Sequence, residues 1–273
     1  MFYFSKMQAT GNDFIIIDYL ENNFNYSFKL LSKYLCDRHF GIGADGVLII
    51  ERSKCGADFK MRIFNQDGSE AEMCGNGIRC FAKYVYEKKI IHKEQFEIET
   101  LAGIKIVKLE VEGDTVINIE VDMGTPIFEF ERIPIFGVES ECKKINIENF
   151  EVYPISMGNP HSVCFVEDLE NINIQKWGRL IENYKYFPNK TNVEFVQIIN
   201  ESKIKIRVWE RGVGETLSCG TGACAAAVIS SKYKSTNREV IVDLLGGNLT
   251  IIYDNTVKLC GTADNIFEGN IAI

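Results

Sequence analysis

The chain has 273 residues, 46% of them apolar and 25% charged, with a net charge of −8 and a pI near 5.1. That is the composition of a globular protein with material for two ordinary domains, and its scattered basic residues exclude an extended nucleic-acid or anionic-membrane surface. No apolar run approaches the roughly 18 residues of a membrane span, and the first residues, MFYFSKMQ, lack a signal-peptide pattern.

Two short strands open the chain, residues 2–8 and 14–18, split by a polar turn at 9–13. A helix is expected over 28–40, with Leu31, Leu35 and Phe40 on one face. The glycine run 41–46 then leads into a buried-type strand at 47–50. It precedes a strand rather than a helix and lacks the Lys-Ser/Thr of a phosphate loop, so nucleotide binding is not expected there. A strand at 58–64 enters a second polar turn, which delivers Cys74 to the start of a helix running to about residue 88. Strands at 95–100, 104–112 and 116–122 complete a first half, and Gly124, Pro126 and Pro134 mark a crossing.

The second half repeats that order. Strands at 150–156 and 162–166 flank the turn Gly158-Asn159-Pro160-His161, and a helix at 173–183 ends before Pro188. Strands at 192–199 and 203–209 lead to Cys219, a helix to about 232, and a hairpin over 239–244 and 248–253. The tail from 264 to 273 is expected to pair back with the first half. Cys74 and Cys219 are 145 positions apart, as are Asn65 and Glu210, Arg62 and Arg207, and Gly77 and Gly222; Asn12 and Asn159 are 147 apart. A slowly drifting offset near half the chain is what a duplicated unit leaves. The fold expected is α+β: two pseudo-symmetric domains, 1–122 and 123–273, each wrapping strands around a central helix.

Nine cysteines, none in C-x-x-C spacing and with no secretory signal, argue for reduced cytosolic thiols and against a disulfide framework or zinc site. Most free cysteines are small buried hydrophobes, the reading given to Cys36, Cys55, Cys80, Cys142, Cys164, Cys224 and Cys260. Cys74 and Cys219 differ, because each stands at a helix start and precedes Gly-x-Gly. Unpaired N–H groups there lower a thiol pKa and seat a carboxylate. Two such starts facing one cleft would set an acid and a base on opposite faces of one carbon, which suits inversion of an α-amino acid without a cofactor or metal. A dithiol redox pair and a purely structural duplication are the competing readings.

Five stretches now carry a resemblance: MQATGNDF (7–14), RHFGIGADG (38–46), FNQDGSEAEMCGNGIRC (64–80), MGNPHSV (157–163) and ERGVGETLSCGTGACA (210–225). In this order they closely resemble the diaminopimelate epimerases. The resemblance implies a cofactor-independent, two-base epimerase converting LL- to meso-diaminopimelate for lysine and peptidoglycan precursor synthesis, cytoplasmic and homodimeric. It implies Cys74 and Cys219 as the base/acid pair. It implies that Asn12, Asn65, Asn76, Asn159, Asn192, Glu210 and Arg211 bind substrate, with Gly75, Gly220 and Thr221 gripping the reacting carboxylate. His161 and Glu210 would tune the thiols. Some members carry a substrate-contacting glutamine where this chain has Gly46, and Gln66 stands where a small residue is common. Alternatives are a proline- or hydroxyproline-type racemase of the same fold and a non-catalytic amino-acid-binding protein.

Overall fold

The computed structural model describes residues 2–20, 26–138 and 143–272, so the packing role read for Cys142 lies outside the described residues. The chain divides into two compact units, Met1–Asp122 with Gly261–Ile273, and Met123–Cys260.

In the first unit, β1 (Phe2–Ala9), β2 (Asn12–Asp18), β3 (Gly46–Glu51) and β4 (Phe59–Asn65) lie side by side. The β1–β2 and β3–β4 pairs are antiparallel, and β2–β3 is parallel. The short β5 (Glu70–Ala71) pairs with one end of β4, and β6 (Gln95–Thr100) runs parallel to the other end. Beyond β6 follow β7 (Gly103–Glu112) and β8 (Thr115–Gly124). β2 and β3 read as continuous apolar runs because both of their faces are covered. Ile15, Ile17, Val47 and Ile49 pack on Leu31 and Leu35 of α1 (Phe28–Cys36). The opposite face receives α2 (Gly75–Glu87), whose residues from Gly75 to Val85 are buried. Each fully buried Ile or Leu here contributes on the order of 1.5–3 kcal/mol.

The second unit repeats this plan. β9 (Ile145–Ile147), β10 (Phe150–Ser156) and β11 (Pro160–Phe165) are successive antiparallel neighbours. After α3 (Ile174–Glu182), β12 (Asn192–Asn200) joins β11 in parallel and β13 (Lys203–Glu210) in antiparallel fashion. β14 (Gly214–Thr216) and β15 (Glu239–Leu244) take opposite ends of β13, and β16 (Gly247–Tyr253) and β17 (Val257–Gly261) close the order. The central helix is α4 (Gly220–Tyr233), alanine-rich and buried over nearly all its length. A helix apolar on every side must be enclosed, and β10 to β13, β15 and β16 all pack on it.

The tail forms β18 (Asp264–Ile271), antiparallel to β1, and fills in the first unit the place that β9 fills in the second. One ion pair is duplicated with the frame. Arg62 Nε meets Glu70 Oε1 at 2.6 Å, and 145 residues later Arg207 Nε meets Glu215 Oε1 at 2.8 Å. Each fastens the hairpin that precedes a central helix.

Two local expectations are corrected. α1 stops at Cys36, not at residue 40. Asp37 Oδ1 accepts the N–H groups of His39 and Phe40, which turns the chain out of the helix and leaves Phe40 82% exposed. Cys55 is exposed rather than packed, with its Sγ 3.3 Å from Glu99 Oε2. The other described cysteines assigned to packing are buried.

Candidate active site

Cys74 and Cys219 are the N-cap residues of α2 and α4, in extended conformation, and each thiol accepts the N–H of the glycine three residues on at 3.4 Å. A sulfur therefore replaces the usual Ser, Thr, Asp or Asn oxygen in satisfying one of the orphan donors of a helix start. Cys74 is partly exposed, and Cys219 is nearly buried.

Around Cys74, three of the residues named from the resemblance converge. Its thiol donates to Asn12 Oδ1 at 3.7 Å, and Asn76 Nδ2 donates to the same oxygen at 3.3 Å. Gly75 is the first residue of α2, and its carbonyl accepts from Arg79 Nη1 at 3.0 Å. Arg79 is fully buried and also donates to Thr10 Oγ1 and to the Thr262 carbonyl, tying the helix start to the first turn and the tail. Asn65 stands apart: its amide donates to Ser69 Oγ at 3.0 Å, within the turn its own carbonyl closes. A side chain at Gly46 would meet the Phe64 carbonyl at 2.9 Å, so a glutamine there would require β3 to move. Gln66 is turned away, onto the Ala44 carbonyl.

Around Cys219 the residues form a chain of contacts. Its Sγ lies 3.5 Å from Thr221 Oγ1, and Thr221 Oγ1 accepts from Asn159 Nδ2 at 3.4 Å. Asn159 Oδ1 is 3.0 Å from His161 Nε2, and His161 Nδ1 is 2.7 Å from Glu194 Oε1. A second group fixes the β13 turn. Asn192 Nδ2 donates to the Pro160 carbonyl while its Oδ1 accepts the Arg211 N–H, each at 2.9 Å. Glu210 accepts from Thr216 Oγ1 at 2.5 Å. Arg211 is exposed, with Nη1 on the Asn189 carbonyl. Gly220 opens α4.

The electrostatics of Cys219 run against the expectation from its helix start. Burial pushes the thiol well above its ordinary value, the Glu210 carboxylate pushes the same way, and Glu194 would add to this in its ionised form, uncompensated by His161. The Thr221 hydroxyl and Gly222 N–H oppose this without overcoming it. Burial likewise raises the Glu194 carboxyl, against the pull of His161. Among the described residues no cluster of three or more His, Cys, Asp or Glu is arranged to hold a metal ion, and no helix is long and apolar enough to cross a membrane.

Besides Arg79, three carboxylates of this machinery were not singled out from sequence. Glu194 is a lone carboxylate among Val193, Phe195 and Val196 in β12, and that isolation was its available signal. Glu182, buried on α3, accepts from Trp209 Nε1 and the Gly212 N–H, both at 2.8 Å, and so holds the turn carrying Arg211. Asp45 accepts from Asn12 Nδ2 at 2.7 Å and was hidden in a glycine-rich loop.

The diaminopimelate epimerase family model matches residues 4–129 and 153–263. A diaminopimelate epimerase of Methanococcus maripaludis strain C6 is 47% identical over 279 residues, covering 99% of each chain. One of Moorella thermoacetica is 45% identical over 278 residues, again covering 99% of each. Among solved structures, a phenazine biosynthesis protein of the PhzF family from Bacillus anthracis superposes with a TM-score of 0.72 at 19% identity, covering 100% of this chain and 99% of the other. A hydroxyproline epimerase from Agrobacterium vitis gives 0.72 at 11% identity, covering 98% and 91%. At those identities the structures speak for the fold alone.

Proposed function

The chain belongs to the diaminopimelate epimerase family, isomerases of lysine biosynthesis, and from that premise we propose that it interconverts LL- and meso-diaminopimelate with Cys74 and Cys219 as the two acid–base groups. The observation that carries this reading is the matched pair of thiol N-caps, each on the central helix of its unit and each accepting the N–H of a glycine three residues on.

In this reading one thiolate takes the α-proton and the other thiol delivers a proton to the opposite face of the same carbon. An α-amino-acid proton is weakly acidic, so the enolate-like transition state needs fixed donors at the carboxylate. The helix-start N–H groups of Gly75, Asn76, Gly220 and Thr221 are those donors, reinforced by helix dipoles. General acid–base transfer of this kind contributes about 10²- to 10⁴-fold. Asn12 and Asn76 orient the reacting end. Asn65, Asn159, Asn192 and the Arg211 guanidinium, which can hold a carboxylate by two parallel bonds, take the second amino-acid end. His161 and Glu210 tune the thiols. The protein works in the reducing cytosol as a homodimer, and proton transfer between thiols calls for no cofactor.

The test is incubation of reduced protein with LL-diaminopimelate in D2O, following the α-protons by NMR. Conversion to the meso form with deuterium at one α-carbon is expected. Exchange with L-proline or hydroxyproline instead would make it a racemase of the same fold, and no exchange with any of them would leave a binding protein.

A further inference from the structure

Behind the Cys219 helix start the second unit holds a titratable pair where the first unit holds an apolar one. In the first unit Phe14 pairs with Gly46 and Ile16 with Leu48; in the second His161 pairs with Asn192 and Val163 with Glu194. The central helices meet these positions alike. A Cβ added at Gly77 would stand 3.2 Å from Leu48 and 3.5 Å from Phe14, and one added at Gly222 would stand 2.8 Å from Glu194 Oε1 and 3.3 Å from Cys219 Sγ. His161 and Glu194 thus occupy the places of Phe14 and Leu48. Both are fully excluded from solvent, where ionisable groups persist only if paired.

Donors and acceptors along the chain of contacts restrict the protons. Asn159 donates to Thr221 through Nδ2, so its Oδ1 faces His161 Nε2 as an acceptor. Nε2 must then carry hydrogen. One further proton lies between His161 Nδ1 and Glu194 Oε1, making the pair either imidazolium with carboxylate or neutral imidazole with carboxylic acid. Both forms have zero net charge. A neutral histidine beside a bare carboxylate would donate through Nδ1 and present a lone pair to Asn159 Oδ1. Glu194 Oε2 is buried without a hydrogen-bond partner, which costs less on a carboxylic acid than on a carboxylate.

We propose that Glu194 is a positioning residue that shares one proton with His161, keeping the imidazole Nε2–H aimed at Asn159 and presenting no net charge to the Cys219 thiol. The device exists on one side only, since Phe14 and Leu48 cannot carry a proton. The groups facing Glu194 are His161 and Cys164 on β11 and Cys219 at the start of α4; Glu210 on β13 faces Cys219. Its neighbours across the strands, Val163 and Val208, are apolar. The proposal rests on Cys219 being a site thiol, but its test uses no substrate, so failure of the epimerase reading would be seen separately in the D2O exchange experiment.

Imidazole nitrogen NMR of the ¹⁵N-histidine-labelled full chain, with His161 assigned by its loss in His161→Gln, reads the tautomer in the unmodified protein. Protonated Nε2 at neutral pH is expected; an Nδ1–H tautomer with bare Nε2 overturns the proposal. The second reading is the alkylation rate of Cys219 by iodoacetamide, mapped by peptide, in wild type and in Glu194→Gln. The glutamine amide donates to Nδ1 and keeps the Nε2–H tautomer, so equal rates at a fixed pH are expected. If Glu194 instead bore an uncompensated charge, removing it would accelerate the reaction about tenfold or more, because a like charge this close shifts a pKa by about one unit or more. That acceleration would overturn the proposal.

Discussion

Asn12 Nδ2 donates to Asp45 Oδ2 across 2.7 Å, which turns the amide so that its oxygen faces Cys74 and Asn76. Asp45 is itself held by Arg38 Nη2 at 3.0 Å. Asp45→Ala leaves the amide free to rotate and is expected to lower kcat/KM for diaminopimelate by about 10- to 100-fold, the worth of one charged hydrogen bond. Asn12→Ala should do similar damage, and the double variant should be little worse than either single one. Fully additive losses would show that the two residues act independently.

Each catalytic thiol has its own signature in the proposed reaction. Cys74→Ala and Cys219→Ala should each reduce epimerisation by about 10³-fold or more while binding of diaminopimelate by calorimetry survives. The corresponding serine variants keep a weak acid in place and should retain some exchange at one face. Full activity in either alanine variant would end the two-base assignment.

The strands and central helices were legible because their patterns are strong: β2 and β3 are unbroken apolar runs, and α4 is apolar all round. β5, β9 and β14 are two or three residues long and exist through pairing with a longer neighbour, which local sequence does not record. The end of α1 was missed because Asp37 stops it with a side-chain bond that periodicity does not register. The two thiols stood out through the duplication. Glu194 did not, because its meaning comes from His161, 33 residues away, and from the apolar counterpart Leu48 in the other unit.

Acid stability should carry the mark of Asp13. Its carboxyl is partly buried, which alone would raise it, but hydrogen bonds and charge from Arg38 and Lys6 hold it at about 2, below the ordinary 3.8. A depressed folded-state value stabilises the fold above the unfolded value and ceases to do so as pH falls through the folded one. Urea midpoints should therefore fall between pH 3.8 and about 2. Arg38→Met should flatten that descent. Because Arg38 is half exposed, its cost at neutral pH should stay below about 1 kcal/mol. An unchanged slope in Arg38→Met would place the acid sensitivity elsewhere.

The glycines at the third position of the two central helices should answer differently to the same methyl group. In Gly77→Ala the added carbon meets a Leu48 methyl at 3.2 Å, an apolar end that can yield by a few tenths of an ångström. Alanine's higher helix propensity, up to about 1 kcal/mol, then offsets most of the strain. In Gly222→Ala the carbon meets Glu194 Oε1 at 2.8 Å and crowds Cys219 at 3.3 Å. Glu194 cannot withdraw without stretching its 2.7 Å bond to His161, and neither side chain can reach solvent. Gly222→Ala is expected to cost about 1–3 kcal/mol by overpacking, read as the urea midpoint, and to lower kcat more than it raises KM. Gly77→Ala should change stability by less than about 1 kcal/mol. Equal damage from both would mean that the residues behind each thiol serve only as filling, and that the proton held behind Cys219 has no bearing on its chemistry.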